Sequence, residues 1–100
     1  MPLNLLFYPS FERCFKKLDS TQRVIVERIL RALFNCYDSN YQLSEAQKIE
    51  PRFFYKQLRK PYYEAGIEGK IRILIARDKS NCTVILVGNH DQIKQFLANQ

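Results

Sequence analysis

The chain has no tryptophan, a single methionine, a single histidine, three glycines and four prolines in 100 residues. So little glycine and proline excludes collagen-like and low-complexity chains, and 46% hydrophobic residues exclude a disordered tail. No segment approaches the roughly 20 apolar residues of a membrane span, and Met1 to Tyr8 carry neither a charged leader nor an apolar run of signal-peptide length. The cytoplasm is therefore the expected location, with no membrane partner. Cys14, Cys36 and Cys82 are an odd, widely spaced set without a C-x-x-C pair, which points to buried thiols in a reducing compartment. One histidine and few carboxylates leave no expected metal site and no expected cofactor.

Positive charge, by contrast, is plentiful and unevenly placed. The net charge is +6. Residues 1–50 hold seven Lys or Arg against six Asp or Glu, residues 51–77 hold seven against two, and residues 78–100 balance at two each. A length of 100 residues allows one domain, here residues 1–100. A cationic excess confined to one stretch of one small domain suggests an anion-binding face, with RNA the expected partner.

Leu3 to Tyr8 is a continuous apolar run before Pro9 and reads as a first strand buried inside a sheet. Pro9 and Ser10 open a helix that ends near Leu18, with Phe11, Cys14, Phe15 and Leu18 on its apolar side. Asp19 and Gln22 form a capping-box pattern ahead of a longer helix, whose apolar face is Val26, Ile29, Leu30, Leu33, Phe34 and Tyr37. Tyr41 to Glu50 reads as a mobile polar loop with room for one helical turn at Ser44 to Lys48. Phe53 to Leu58, Tyr62 to Ile67, Lys70 to Arg77 and Cys82 to Val87 read as strands of an antiparallel meander, and Asn89 caps a short last helix. The expected class is α+β: a two-helix hairpin packed on a small antiparallel sheet, in the order β-α-α-β-β-β with a C-terminal helix.

Alternation along Lys70 to Arg77 sends Ile71, Ile73 and Ile75 toward the helices and Lys70, Arg72, Leu74 and Ala76 to the other side. A mid-strand arginine there is costly unless its surface meets water or an anion. Arg72 is either a solvated or salt-bridged side chain, with Glu64 on a neighbouring strand as the candidate partner, or a phosphate binder. Lys56, Arg59, Lys60 and Lys70 could extend it into a basic track for RNA. Tyr55, Tyr62 and Tyr63 either pack in the fold or stack on unpaired bases. His90 is either a helix-start surface residue or the proton donor and acceptor of an RNA-cleaving surface.

The order of elements, together with the stretch Phe54 to Glu64 (FYKQLRKPYYE), the strand Lys70 to Ile75 (KIRILI) and Val87 to Asp91 (VGNHD), resembles the RelE/ParE superfamily of bacterial toxin–antitoxin toxins over nearly the whole chain. That resemblance implies a metal-independent mRNA interferase, an endoribonuclease that cuts mRNA on the ribosome, inhibits translation and is neutralised by a cognate antitoxin. It also implies that Arg72 binds the scissile phosphate, that His90 transfers a proton and that Glu64 acts as a base. The sequence departs from many such relatives in having Glu64-Ala65-Gly66 where they carry paired lysines, and a plain helix from Asp91 to Asn99 where they end in a catalytic tyrosine or histidine. The ParE branch shares the scaffold without the nuclease residues and acts on DNA gyrase, so a gyrase poison and an inactive toxin-like RNA-binding protein stand as alternatives.

Overall fold

The computed structural model describes residues 4–39, 41–67, 69, 71–78 and 81–99. Five strands, β1 (Asn4–Phe7), β2 (Phe53–Gln57), β3 (Tyr62–Ile67), β4 (Arg72–Arg77) and β5 (Asn81–Gly88), form one sheet in the order β1-β5-β4-β3-β2. β1 runs parallel to β5, and the remaining pairs are antiparallel. Four helices accompany them: α1 (Pro9–Lys16), α2 (Ser20–Asp38), α3 (Leu43–Ile49) and α4 (His90–Ala98). The expected α+β architecture and the four later strands are present.

The helical layer follows from its caps and its apolar spacing. The Asp19 side chain accepts from the Gln22 N–H at 2.8 Å, and the Gln22 side chain accepts from the Asp19 N–H at 3.1 Å, which satisfies two donors at the start of α2. Val26, Ile29, Ala32, Leu33 and Cys36 then face the sheet and are buried, with Phe53, Ala65, Ile73 and Ile75 opposite them. Phe34 does not join them and is 57% exposed. It lies one heptad after the exposed Glu27, so it falls on the solvent row of the helix rather than on the stripe that Leu33 continues.

Two other expectations are corrected. β1 is an edge strand and largely exposed, not an interior one; Leu5 packs on the core while Leu6 and Phe7 remain exposed. Its apolar run resembles a two-sided interior strand, but its one strand neighbour is β5, and the sheet ends there. Leu3 lies outside the described residues. The segment expected as a mobile loop with one helical turn at Ser44 to Lys48 is the two-turn helix α3, which contains that turn, with Ala46 fully buried against the helical layer. Tertiary contacts hold it where its polar sequence gives little signal: Asn35 donates to the Glu45 carbonyl at 2.7 Å, and Arg28 makes a two-pronged pair with Glu50 at 2.5 and 2.8 Å. Tyr41, at φ 66°, turns the chain between α2 and α3 while its N–H donates to the Cys36 carbonyl.

The second face of the sheet is half covered. β5 carries one extra residue opposite Leu74 and Ile75, and this bulge puts Ile85 beside Leu86 on the side of α4, where both meet Leu74 and Ile93. Ser10 of α1 takes up the Ile85 carbonyl at 2.6 Å. α4, capped by Asn89 and Gln92 as its sequence predicts, therefore roofs β4 and β5.

A polar rung crosses the larger core, where Tyr37 donates to the Tyr55 hydroxyl at 2.9 Å and Arg77 donates to the same oxygen at 3.0 Å. Burial pushes the Tyr55 phenol up to about 12, against the lowering pull of Tyr37 and Arg77, and pushes the Cys82 thiol up to about 11. Burial likewise raises Tyr37.

Leu33→Ala should cost about 2–5 kcal/mol in a urea melt, while Phe34→Ala should stay within about 0.5 kcal/mol. Equal losses would contradict the assignment of their faces. In the unfolded chain Cys82 and Tyr55 ionise near their ordinary values of 9.0 and 10.0, whereas the native state keeps both protons to about 11 and about 12. The unfolded state therefore binds fewer protons across that window, and stability should fall as pH rises from about 9 toward 12. Urea midpoints that stay level or climb between pH 8 and 11 would refute this.

Candidate functional site

Across β2, β3, β4 and β5 the register aligns Phe54, Gly66, Arg72 and Gly88 in one row on the face that α4 half covers. The next row holds Lys56, Glu64, Leu74 and Leu86. Gly66 is needed for the packing of the first row, because a Cβ there would sit 2.8 Å from the Phe54 ring. With that space free, the ring lies beneath the Arg72 guanidinium, whose carbon is 5.3 Å from the ring centroid.

Glu64 fixes the guanidinium from the second row. Its carboxylate is 1% exposed, accepts from Arg72 Nη1 at 2.7 Å, and faces Lys56 Nζ at 3.6 Å. A carboxylate so deeply buried requires cationic partners, and two cations around one anion leave a net positive charge on the surface above it. The Arg72 side chain keeps 26% of its surface exposed, and that of Lys56 keeps 54%. Arg72 Nε is buried without a hydrogen-bond partner among the described residues. His90, the first residue of α4, brings its Nδ1 to 3.5 Å from Arg72 Nη1.

Two depressions open at this point. One, of about 350 Å³, is lined by Gly69, Arg72, Asn89, His90 and Asp91, and the other, of about 420 Å³, by Arg52, Phe54, Lys56, Gly69 and Arg72. They share Arg72 and Gly69, so the guanidinium stands between two concavities of nucleotide size. No group of three or more His, Cys, Asp or Glu that could hold a metal ion occurs among the described residues.

Of the site residues expected from sequence, Arg72, Glu64, His90 and Lys56 come together here. The other described ones do not. Arg59 donates to the Leu97 carbonyl at 2.6 Å and so ties the β2–β3 turn to the end of α4. Tyr62 packs edge-on against Phe96 of α4. Tyr63 lies on the opposite face of the sheet, stacked on Tyr55 with ring centroids 5.2 Å apart, and Lys60 lines a separate cavity beside it. Alternation explains the division of Tyr62 and Tyr63, since successive strand residues point to opposite faces. Lys70 lies outside the described residues. Arg52 and Phe54 line the site and were not singled out in the sequence; the pairing of Phe54 with Gly66 across β2 and β3 is the signal that marks them.

No family model and no curated protein matches the sequence. Solved structures do match its fold. Against the RelE toxin in a RelB–RelE complex from Methanococcus jannaschii the TM-score is 0.62 at 19% identity, covering 91% of this chain and 96% of that one. Against the E. coli DinJ–YafQ toxin–antitoxin complex it is 0.65 at 12% identity, covering 93% and 98%. A YoeB dimer from Staphylococcus aureus matches at 0.62 and 19% identity, covering 90% and 99%. With nearly complete overlap in both directions at such low identity, what is shared is architecture, and this chain has the RelE-like toxin fold.

Proposed function

We propose that the chain is the toxin of a toxin–antitoxin pair and acts as a metal-independent mRNA interferase on translating ribosomes. The observation that carries this reading is Arg72, which Glu64 and Phe54 hold in place between two open concavities with His90 beside it. The fold shared with RelE, YafQ and YoeB supports it.

RNA can be cut without a metal when its own 2′-hydroxyl attacks the adjacent phosphorus. The O2′–P bond forms as the P–O5′ bond breaks, leaving a cyclic phosphate and a 5′-hydroxyl. Three things must be supplied: alignment, a counter-charge for the phosphorane, and a group that moves protons. Arg72 supplies the counter-charge. His90 accepts the 2′-hydroxyl proton, the departing 5′-oxygen takes its proton from water, and Lys56 holds the neighbouring strand. Glu64 is too buried to reach a substrate and serves as a positioning residue, its carboxylate aiming the guanidinium. This replaces the role of base that the family resemblance suggested for it. An acidic antitoxin would silence the site by occupying the cationic surface around Arg72 and Lys56.

The test is cleavage of mRNA in a purified translation system, read by mapping 5′ ends. Arg72→Ala and His90→Ala should each slow cleavage about 100-fold or more. His90→Ala should melt as the parent does, whereas Arg72→Ala, which strips the buried Glu64 of its nearest cation, should melt lower while keeping its circular dichroism spectrum. Glu64→Gln, which keeps a hydrogen bond but loses the charge, should slow it by about tenfold through misplacement of the guanidinium. Cleavage by Arg72→Ala at the parental rate would remove the basis of the proposal. Undisturbed translation combined with DNA-damage signalling on expression would instead favour a gyrase poison.

A further inference from the structure

β4 ends in a second arginine whose surroundings differ from those of the first. Arg77 is five residues from Arg72, about 17 Å along an extended strand, and points to the opposite face. Its guanidinium lies between two tyrosine rings, 4.5 Å from the Tyr41 centroid and 4.6 Å from that of Tyr63. Stacking engages the faces of a guanidinium and leaves its in-plane N–H groups available to acceptors. One of them goes to the Tyr55 hydroxyl at 3.0 Å.

The sandwich borders a cavity of about 380 Å³ lined by Tyr41, Lys60, Pro61, Tyr63, Arg77 and Asp78. Three connections converge on it: the α2–α3 link through Tyr41, the β2–β3 turn through Lys60 and Pro61, and the β4–β5 turn through Asp78. The Arg77 N–H donates to the Pro61 carbonyl at 3.0 Å and joins two of them, while the Tyr41 N–H donates to the Cys36 carbonyl at 2.8 Å and holds the third against the end of α2. Tyr41 holds its position at φ 66°, a conformation that a residue with a side chain seldom adopts, and it remains 43% exposed. One of its faces covers Arg77, and Tyr37 meets the ring at 73° with centroids 5.4 Å apart.

We propose that this cavity is a second RNA-binding subsite, in which Arg77 and Lys60 hold a backbone phosphate and Tyr41 stacks the adjoining unpaired base. Two cations and an aromatic face in one concavity are the elements by which single-stranded nucleic acid is gripped without sequence preference. The Asp78 carboxylate at the rim lowers the local positive charge, which suits the single negative charge of a phosphodiester better than the double charge of a terminal phosphate. This subsite takes its ligand class from the proposed function but shares no residue with the site around Arg72.

The experiment measures binding of a fluorescein-labelled, 2′-O-methyl uridine hexamer by anisotropy at 50 and 200 mM salt. The variant combines Lys60→Gln with Tyr41→Asn, a change that removes the ring while keeping a residue tolerant of positive φ. It is made both in the parental chain and in an Arg72→Gln background, and folding is checked by circular dichroism. In both backgrounds affinity should fall about tenfold, and the salt slope should shrink by about 0.7 for the one lost phosphate contact. Unchanged affinity and slope in a folded variant would overturn the subsite. So would a loss of binding that follows Arg72→Gln alone, or a parental chain that does not bind the hexamer. Cleavage that persists in Arg72→Ala would sink the assignment of Arg72, and absence of cleavage by the parental chain would sink the nuclease reading, while either result leaves this subsite standing.

Discussion

The pairing of Arg72 with a buried Glu64 is the constraint around which the charged half of the sheet is arranged. A carboxylate removed from water is tolerated only beside cations, so Arg72, hydrogen-bonded to it at 2.7 Å, and Lys56, paired with it at 3.6 Å, gather around the same group. The surrounding residues make room for that arrangement. Gly66 lets the Phe54 ring lie under the guanidinium, the bulge at Ile85 seats α4 over one half of the face, and the start of α4 brings His90 to the open half. Such an ion pair adds little to stability compared with apolar residues of the same volume, and its clearest consequence is the orientation of a cation.

Much of this was legible in the sequence. Alternation in β4 located Arg72 on the face away from the isoleucines, and two capping boxes located the starts of α2 and α4. Pairing of Arg72 with Glu64 was one of the two readings open for that arginine, and the structure contains it together with open space on either side. What the sequence did not reveal depends on contacts between distant segments. α3 is held by Asn35 and Arg28 of α2, β1 lies at the margin because the sheet ends there, and Phe34 faces solvent because of where the stripe of α2 meets the sheet. The aromatic residues expected to accompany Arg72 were divided between faces by the same alternation that placed Arg72 correctly. Phe54 entered the site unannounced because its part there depends on a glycine on the neighbouring strand.

The sheet thus carries cationic groups at both ends of β4, on opposite faces and in different settings. Arg72 is held by a carboxylate and borders two concavities, whereas Arg77 is held by tyrosine rings and a phenol hydroxyl and borders one. The former suits a site where charge develops during a reaction, since its donor is pre-oriented and half enclosed. The latter offers flat aromatic surface and suits retention of a flexible strand.

Whether Arg72, aimed by Glu64, receives a backbone phosphate can be read from the nitrogen and proton resonances of the arginine side chains, recorded as a short RNA with a 2′-deoxy sugar at the cleavage position is added to the intact chain. A saturable shift of the Arg72 guanidinium signals is expected, and it should be lost or displaced in Glu64→Gln. Arg72 signals that remain unmoved while the RNA binds elsewhere would contradict it.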